Sequence, residues 1–299
     1  MGLLEAHAGL AGKVAVVVGG ASGFIGRAVT LSLAKAGVSV AVCDNDAPAV
    51  EAIVGEVEAL GTGARILSVQ ADVVEPEALD GFYDRVEREF DSVDILVNVA
   101  GGVRRSLFME TTRADNERDV RLNYGYVVDS LRSAVPLMRR GGRGGSIINF
   151  TTIEAHRGAA TYAVYAGAKA ATTNFSRAMA LELGGDQIRV NLIAPDTSPA
   201  RASNSALYPA DFERLSTLGE DALGESYKMY VPLKRAPSVD DLCNGVLFLA
   251  SDLSRSITGT TLHIDGGTIA ALGFLDWPHG DSFMPAPLGG SIGKLFPKG

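Results

Sequence analysis

The sequence predicts an α/β fold: a doubly wound, seven-stranded parallel sheet with helices on both faces. Three observations predict it. Seven short, nearly continuous runs of Val, Ile, Leu and Ala recur along the chain, longer amphipathic stretches separate them, and a glycine cluster closes the first run. A strand covered by helices on both faces has no polar side, so it reads as an unbroken apolar run and not as an alternating one. Strand–helix alternation repeated this often leaves parallel crossovers as the simplest topology.

In chain order, strands are expected at 14–18, 38–43, 65–69, 95–97, 146–150, 189–193 and 260–264. Helices are expected at 24–36, 48–60, 76–90, 161–183 and 239–250, with one long helical region over 114–138. Two segments break the alternation. Residues 197–234 form a long connection mixing Ser, Pro and Asn with short helical pieces such as 211–218; connections of that length tend to be lids or binding loops. After Gly267 comes a Gly- and Pro-rich tail that still carries Phe274, Leu275, Trp277, Phe283, Met284 and Phe296. Those side chains are expected to pack on this subunit or on a neighbour. The expected organisation is one α/β domain over 1–267, with 197–234 as a substrate-loop insertion, followed by the 268–299 tail. At 299 residues, with 46% hydrophobic and 21% charged, the chain has ordinary globular composition and can build its core without disulfide or metal staples.

Charge and spacing exclude several classes. A net charge of −8 has the wrong sign for wrapping a polyanion, so a nucleic-acid partner is not expected. Cys43 and Cys243 lie far apart in apolar segments and read as buried thiols. The first dozen residues lack a basic region and a sustained apolar run, and no stretch approaches about 18 apolar residues. A soluble, cytoplasmic protein without a membrane partner is therefore expected. The sequon at Asn149 falls in an expected buried strand and reads as chance. His7, His156, His263 and His279 show no ligand spacing with one another or with the cysteines, so no metal is expected.

The first strand runs into Gly19-Gly20-Ala21-Ser22-Gly23-Phe24-Ile25-Gly26 and then a helix. Such glycines allow a tight turn and let backbone approach a pyrophosphate, while the helix N-terminus offers unpaired N–H groups and a positive dipole end. Asp44 follows Gly26 by 18 residues, just past the second expected strand. That is close to the distance at which a carboxylate takes the adenosine ribose hydroxyls and repels a 2′-phosphate. No Arg or Lys stands among Asn45, Asp46 and Ala47, so NAD is favoured over NADP. Asp44 as a turn residue ending a strand is the competing reading.

With Tyr165-Ala-Gly-Ala-Lys169 added, the chain resembles the short-chain dehydrogenase/reductase family over about residues 10–267, in its single-domain branch that includes 3-oxoacyl reductases and hydroxysteroid dehydrogenases. Asp72-Val73 resembles the family's adenine-contacting pair, and Asn98-Val99-Ala100-Gly101 its Asn-Asn-Ala-Gly element. Asn123 matches the catalytic-helix Asn, and Ile193-Ala194-Pro195-Asp196 resembles the Pro-Gly turn beside the nicotinamide. Phe248-Leu249-Ala250-Ser251-Asp252, Ile257-Thr258-Gly259 and Asp265-Gly266-Gly267 resemble its C-terminal portion. There are four departures: Phe24 for the middle glycine of the loop, Thr152 for the usual Ser, Asp196 for a glycine, and Ala200 for a Thr that reaches the carboxamide. For the last, Thr197 or Ser198 is the expected substitute.

The resemblance implies a Rossmann fold and a cofactor site made of Gly20, Ser22, Gly23, Phe24, Ile25, Gly26, Asp44, Asp72, Val73, Asn98, Ala100, Gly101, Tyr165, Lys169, Pro195, Thr197 and Ser198. It implies a catalytic set of Asn123, Thr152, Tyr165 and Lys169. Residues four apart share a helix face, so Tyr165 and Lys169 can point into one cleft at the carboxyl end of the sheet, where open α/β folds bind ligands. A free tyrosine, with a pKa of about 10, is a poor base near neutrality; the Lys169 ammonium and a positive nicotinamide are expected to lower it. Thr152 is expected to hydrogen-bond the reacting oxygen. Asn123, by resemblance, would hold a water in a proton relay to Lys169. Glu154 and His156 either reach the substrate pocket or sit in water as loop residues, and Arg104-Arg105 reads as a solvated pair.

The expected activity is an NAD-dependent interconversion of a secondary alcohol and a ketone on a bulky hydrophobic substrate, such as a sterol-like ring system or a 3-hydroxyacyl thioester. A catalytically impaired dinucleotide-binding regulator, and a dehydratase or epimerase on the same fold, are the alternatives. The resemblance also implies a homotetramer or homodimer with the 161–183 helix at an interface.

Overall fold

In a computed structural model of the chain, residues 8–196, 217, 224, 227–277 and 282–286 are described. Seven strands form one sheet: β1 (Val14–Val18), β2 (Ser39–Asp44), β3 (Ile66–Gln70), β4 (Ile95–Asn98), β5 (Gly145–Phe150), β6 (Ile188–Pro195) and β7 (Thr261–Ile264). Their order is β3-β2-β1-β4-β5-β6-β7, and every pairing is parallel. The helices are α1 (Phe24–Lys35), α2 (Ala47–Glu58), α3 (Pro76–Glu89), α4 (Arg113–Val120), α5 (Tyr126–Gly141), α6 (Ala163–Glu182) and α7 (Val239–Ala250).

The apolar runs are continuous because both faces of the sheet are covered. Along β1, Ala15 and Val17 pack with Val29 and Leu33 of α1, Ile53 of α2 and Leu242 of α7. Their neighbours Val16 and Val18 belong to the opposite layer, with Phe82 of α3, Met138 of α5 and Ala180 of α6. Alternate residues of one strand thus anchor two different helix layers. Burying each Val, Leu or Ile of this kind stabilises the fold by about 1.5–3 kcal/mol. Cys43 and Cys243 are free and buried in these layers, and burial pushes the Cys43 thiol up to about 12.

Four departures from the sequence expectation bear on the site or the tail. Asp44 is the last residue of β2 and not a residue beyond it. The long region at 114–138 divides into α4 and α5, joined by a π-helical turn over Arg121–Gly125. The reason is Asn123: its side-chain amide donates to the Asp119 carbonyl (3.0 Å) and the Gly102 carbonyl (2.9 Å), which holds the turn against the β4–α4 loop. Helix α6 begins at Ala163 because Thr161 has φ 68° and Tyr162 is non-helical. In the tail, Phe274–Asp276 and Phe283–Pro285 pair as an antiparallel hairpin, β8 and β9. Lys234 joins it to the body through Asp276 and lies 4.7 Å from the centre of the Phe283 ring. The described part of the tail therefore packs on its own chain.

Candidate active site

The carboxyl ends of β1, β2, β4, β5 and β6 open onto a cavity of about 550 Å³. The glycine loop forms one wall. Gly23, the residue before α1, has φ 65°, a left-handed conformation that an L side chain adopts only at a cost. Gly26 brings the first turn of α1 against the end of β1: a Cβ there would lie 1.9 Å from the Gly19 carbonyl oxygen. Gly20 sits behind the wall, its carbonyl accepting from Thr30 Oγ1 at 2.7 Å. Ser22, Gly23, Phe24, Ile25 and Gly26 all line the cavity. No side chain caps α1, and its first turn carries no acidic residue. A pyrophosphate fits there, because the open N–H groups and the dipole are left to it.

Asp44 lines the same cavity and is tied to the loop. One carboxylate oxygen accepts from the N–H groups of Ala21 (3.2 Å) and Ser22 (2.9 Å). The other accepts from the Ser22 hydroxyl (2.7 Å) and the Asp46 N–H (3.3 Å). The turn-residue reading and the ribose reading thus describe one side chain. Ribose hydroxyls would have to replace the Ser22 hydroxyl, the one donor of the four that rotates freely.

Asp72 and Val73 follow β3 into the lining, with Asp72 accepting from the Val74 N–H at 3.1 Å. Ala100 and Gly101 line the floor after β4. Asn98 does not. Its side chain is fully buried, donating to Asn149 Oδ1 and accepting from the Ser130 hydroxyl, both at 2.8 Å. Tyr83 and Ser176 extend this chain on either side, so Asn98 and Asn149 cross-link β4 and β5 inside the core. Pro195 and Asp196 line the cavity at the end of β6. Thr197 and Ser198, and Ala200, lie outside the described residues, as does most of the 197–234 segment.

Thr152, just beyond β5, and Tyr165, in the first turn of α6, line the cavity together. The Thr152 hydroxyl donates to the Glu154 carboxylate. Lys169 lies one turn further along α6, buried, and donates to the Phe150 carbonyl at 2.9 Å. It reaches the floor because Gly101 has no side chain: a Cβ there would sit 3.2 Å from Lys169 Nζ and 3.0 Å from Asn123 Oδ1. Asn123 does not line the cavity. Its amide oxygen accepts from the Gly102 N–H (3.3 Å), and its backbone carbonyl accepts from Thr172 (2.8 Å). Its polar atoms hold α4, α6 and the floor loop together.

The electrostatics correct one expectation. The Tyr165 phenol is pushed up, to about 12, chiefly by burial and further by the Glu154 carboxylate and Tyr162; the nearby Thr152 hydroxyl opposes this. Burial pushes Lys169 down to about 8. Without a bound dinucleotide, the ammonium does not make the phenol acidic. Its own desolvation in a site with one carbonyl partner works against its charge.

Glu154 is the alternative that lines the cavity. No local motif announces its partner Arg157, at 2.7 Å, or Tyr230, whose hydroxyl accepts from Arg157 (2.9 Å) and donates to Asp196 (2.7 Å). This explains the departure at 196: the Asp196 side chain is buried and stands 3.6 Å from Arg157. Arg104 is paired with Asp115 at 2.9 Å. The histidines are not all unrelated, since the rings of His156 and His263 stand 5.0 Å apart.

A family model described as enoyl-(acyl carrier protein) reductase matches residues 19–268. The chain is 34% identical to 2,3-dihydro-2,3-dihydroxybenzoate dehydrogenase of Bacillus subtilis over 259 residues, 87% of this chain and 97% of that one. It is 32% identical to a 3-oxoacyl-[acyl-carrier-protein] reductase of Staphylococcus epidermidis over 256 residues, 85% of this chain and 98% of that one. A solved 7α-hydroxysteroid dehydrogenase complexed with NADH and 7-oxoglycochenodeoxycholic acid superimposes with a TM-score of 0.78 at 30% identity, covering 89% of this chain and 98% of the other. With the fold, the glycine loop and the Tyr165–Lys169 pair already in place, these similarities make the chain an oxidoreductase of the short-chain dehydrogenase/reductase family.

Proposed function

We propose that this protein is an NAD-dependent dehydrogenase that interconverts a secondary alcohol and a ketone on a bulky hydrophobic substrate. The observation that carries the reading is the meeting of Thr152 and Tyr165 with Asp44 and the glycine loop in one cavity, with Lys169 one helical turn behind the phenol. Bound there, the nicotinamide dinucleotide supplies the hydride acceptor or donor. The α1 N-terminus would hold its pyrophosphate, Asp44 its adenosine ribose, and Lys169 the second ribose. Tyr165 exchanges the hydroxyl proton of the substrate, and Thr152 holds the same oxygen. The names of two relatives, a 3-oxoacyl-[acyl-carrier-protein] reductase and a 7α-hydroxysteroid dehydrogenase, support a large apolar ligand. A homodimer or homotetramer through α6, whose outer face exposes Leu181, completes the reading.

The test is to mix the protein with NAD or NADP and a panel of hydroxysteroids, alicyclic alcohols and 3-hydroxyacyl thioesters, following dinucleotide reduction by absorbance. Reduction of NAD by at least one alcohol is expected. Tight NAD binding without reduction across the panel would favour the regulator, or the dehydratase or epimerase.

The cofactor preference has its own prediction. A carboxylate at 44 opposes a 2′-phosphate and fastens the loop, so Asp44→Ala loses both effects. Leaving the N–H groups of Ala21 and Ser22 without their acceptor costs about 1–3 kcal/mol. The expected result is a fall of about 10–100-fold in kcat/KM with NAD and a smaller fall with NADP, so that the NAD:NADP ratio drops. A wild-type preference for NADP would overturn the ribose assignment.

A further inference from the structure

Among the described residues, three other than glycine have φ in the left-handed region: Thr161, Gln187 and Lys234 (φ 63°). Lysine has no short polar side chain to bond its own backbone, as Asn or Asp would, so glycine is the residue that such a turn selects. Backbone bonds fix the turn. The Lys234 N–H donates to the Val231 carbonyl (2.8 Å), and the Leu233 N–H donates to the Gly266 carbonyl beyond β7 (3.1 Å). A side chain kept against that strain points to a use for it.

The use is at the ammonium. It donates to the Asp276 carboxylate of β8 and to the Lys228 carbonyl (3.0 Å), and it lies 4.7 Å from the centre of the Phe283 ring of β9. Residues 227–230 are helical. The ordinary helical donor to the Lys228 carbonyl would be the residue four further on, which is Pro232 and has no N–H. The Lys234 amine reaches that carbonyl instead. A lone exposed ion pair contributes little; here one charge meets a carboxylate, a helix carbonyl and an aromatic face together.

Tyr230 lies on the same helical turn. Its hydroxyl donates to Asp196 in the cavity wall (2.7 Å) and accepts from Arg157 (2.9 Å). The tail hairpin and the cavity wall are therefore joined through one short segment. We propose that Lys234 is a positioning residue: it pins the β8–β9 hairpin to the 227–230 turn, and through Tyr230 the docked hairpin sets where Asp196 stands in the cavity. The pin does not depend on the function proposed above; the inference rests on that reading only in taking this wall to face the substrate. The glycine loop and Asp44 lie outside this chain of contacts, so the tail governs substrate fit and not dinucleotide binding.

The chain supplies its own probe. Trp277, its single tryptophan, follows Asp276, and its indole N–H is shielded from solvent with no hydrogen-bond partner among the described residues. Acrylamide quenching of Trp277 fluorescence reads hairpin docking. Hydrogen–deuterium exchange of the peptide carrying Val231, whose N–H donates to the Tyr227 carbonyl at 2.8 Å, reads the helical turn. Lys234→Met keeps the backbone strain and removes the charge, Lys234→Gly removes both, and Lys234→Arg keeps a cation.

Quenching is expected to rise in Lys234→Met and Lys234→Gly, and exchange at Val231 to quicken about two- to fivefold, the equivalent of an exposed cation's contacts. Lys234→Arg restores both toward wild type. With the best alcohol, KM rises about two- to fivefold in the first two variants while the Kd for NAD stays within about twofold. Unmoved quenching and exchange in Lys234→Met, or a Lys234→Gly protein protected as well as wild type, would overturn the pin and leave position 234 a turn residue. Greater quenching with unmoved exchange would separate hairpin from turn and overturn it too, and an unmoved KM with both probes shifted would sever the step from Tyr230 to the substrate. Neither probe needs turnover. A protein that oxidises no alcohol yet shows both shifts loses the proposed function and keeps the pin, and an active enzyme without them does the reverse.

Discussion

Tyr165→Phe is expected to lower kcat by about 10²–10⁴-fold, the usual loss when a general acid–base group is removed, while the Kd for NAD stays within about twofold. The substitution deletes one oxygen and keeps the ring, so α6 and the cavity wall are undisturbed. Thr152 keeps its contact with Glu154, and Lys169 keeps its bond to the Phe150 carbonyl. What disappears is the phenol proton proposed to pass to a ketone oxygen. Steady-state kinetics with the best alcohol of the panel and a direct titration with NAD separate the two effects. A large rise in Kd with kcat preserved would assign Tyr165 to binding and remove it from the chemistry.

The second large effect is structural. Gly26→Ala places a methyl group where the Gly19 carbonyl oxygen stands. Neither atom is the end of a flexible side chain, so α1 must move off β1 and the loop must change path. Overpacking of a tight contact costs about 1–3 kcal/mol, and a clash of backbone with Cβ belongs at the upper end. At about 2–4 °C per kcal/mol for a chain of this size, Tm should fall by about 6 °C or more, and NAD binding should fall with it. Gly55→Ala is the control. Gly55 lies inside α2 with no atom within 4 Å of the added Cβ, so the same change is expected to stabilise by about 0.4–1 kcal/mol. Calorimetry on the two variants tests whether space at the loop, and not glycine content in general, is what position 26 needs.

Much of the architecture was legible because its cause is local. Strands covered on both faces announce themselves as apolar runs, which is why β1, β4 and β5 sit within about a residue or two of their expected places. The Tyr165–Lys169 spacing and the glycine loop are likewise short-range, and each acquires its meaning from the strand just before it. What escaped is through-space. The family resemblance places Asn98 on the cofactor floor, yet its side chain points into the core toward Asn149 of the adjacent strand. The break at Asn123 depends on carbonyls of Gly102 and Asp119, which periodicity does not report. Arg157, Asp196 and Tyr230 come from three separate segments, and Asp196 looked like a defect in a familiar turn until its partners were known. The rise of the Tyr165 phenol was missed for the same reason: the sequence shows an ammonium four residues away but not the burial of both groups, nor the carboxylate on the other side of Thr152.

The account as a whole depends on a carbon–hydrogen bond of a secondary alcohol being broken while Tyr165 takes the hydroxyl proton. The direct measurement uses the most active alcohol of the panel, carrying deuterium at the carbinol carbon, and weighs the reduced dinucleotide by mass spectrometry. One deuterium per reduced dinucleotide, formed by wild type and at a rate lowered about 10²–10⁴-fold in Tyr165→Phe, is the predicted outcome. Reduced dinucleotide without the label, or label transferred equally fast by both proteins, would contradict it.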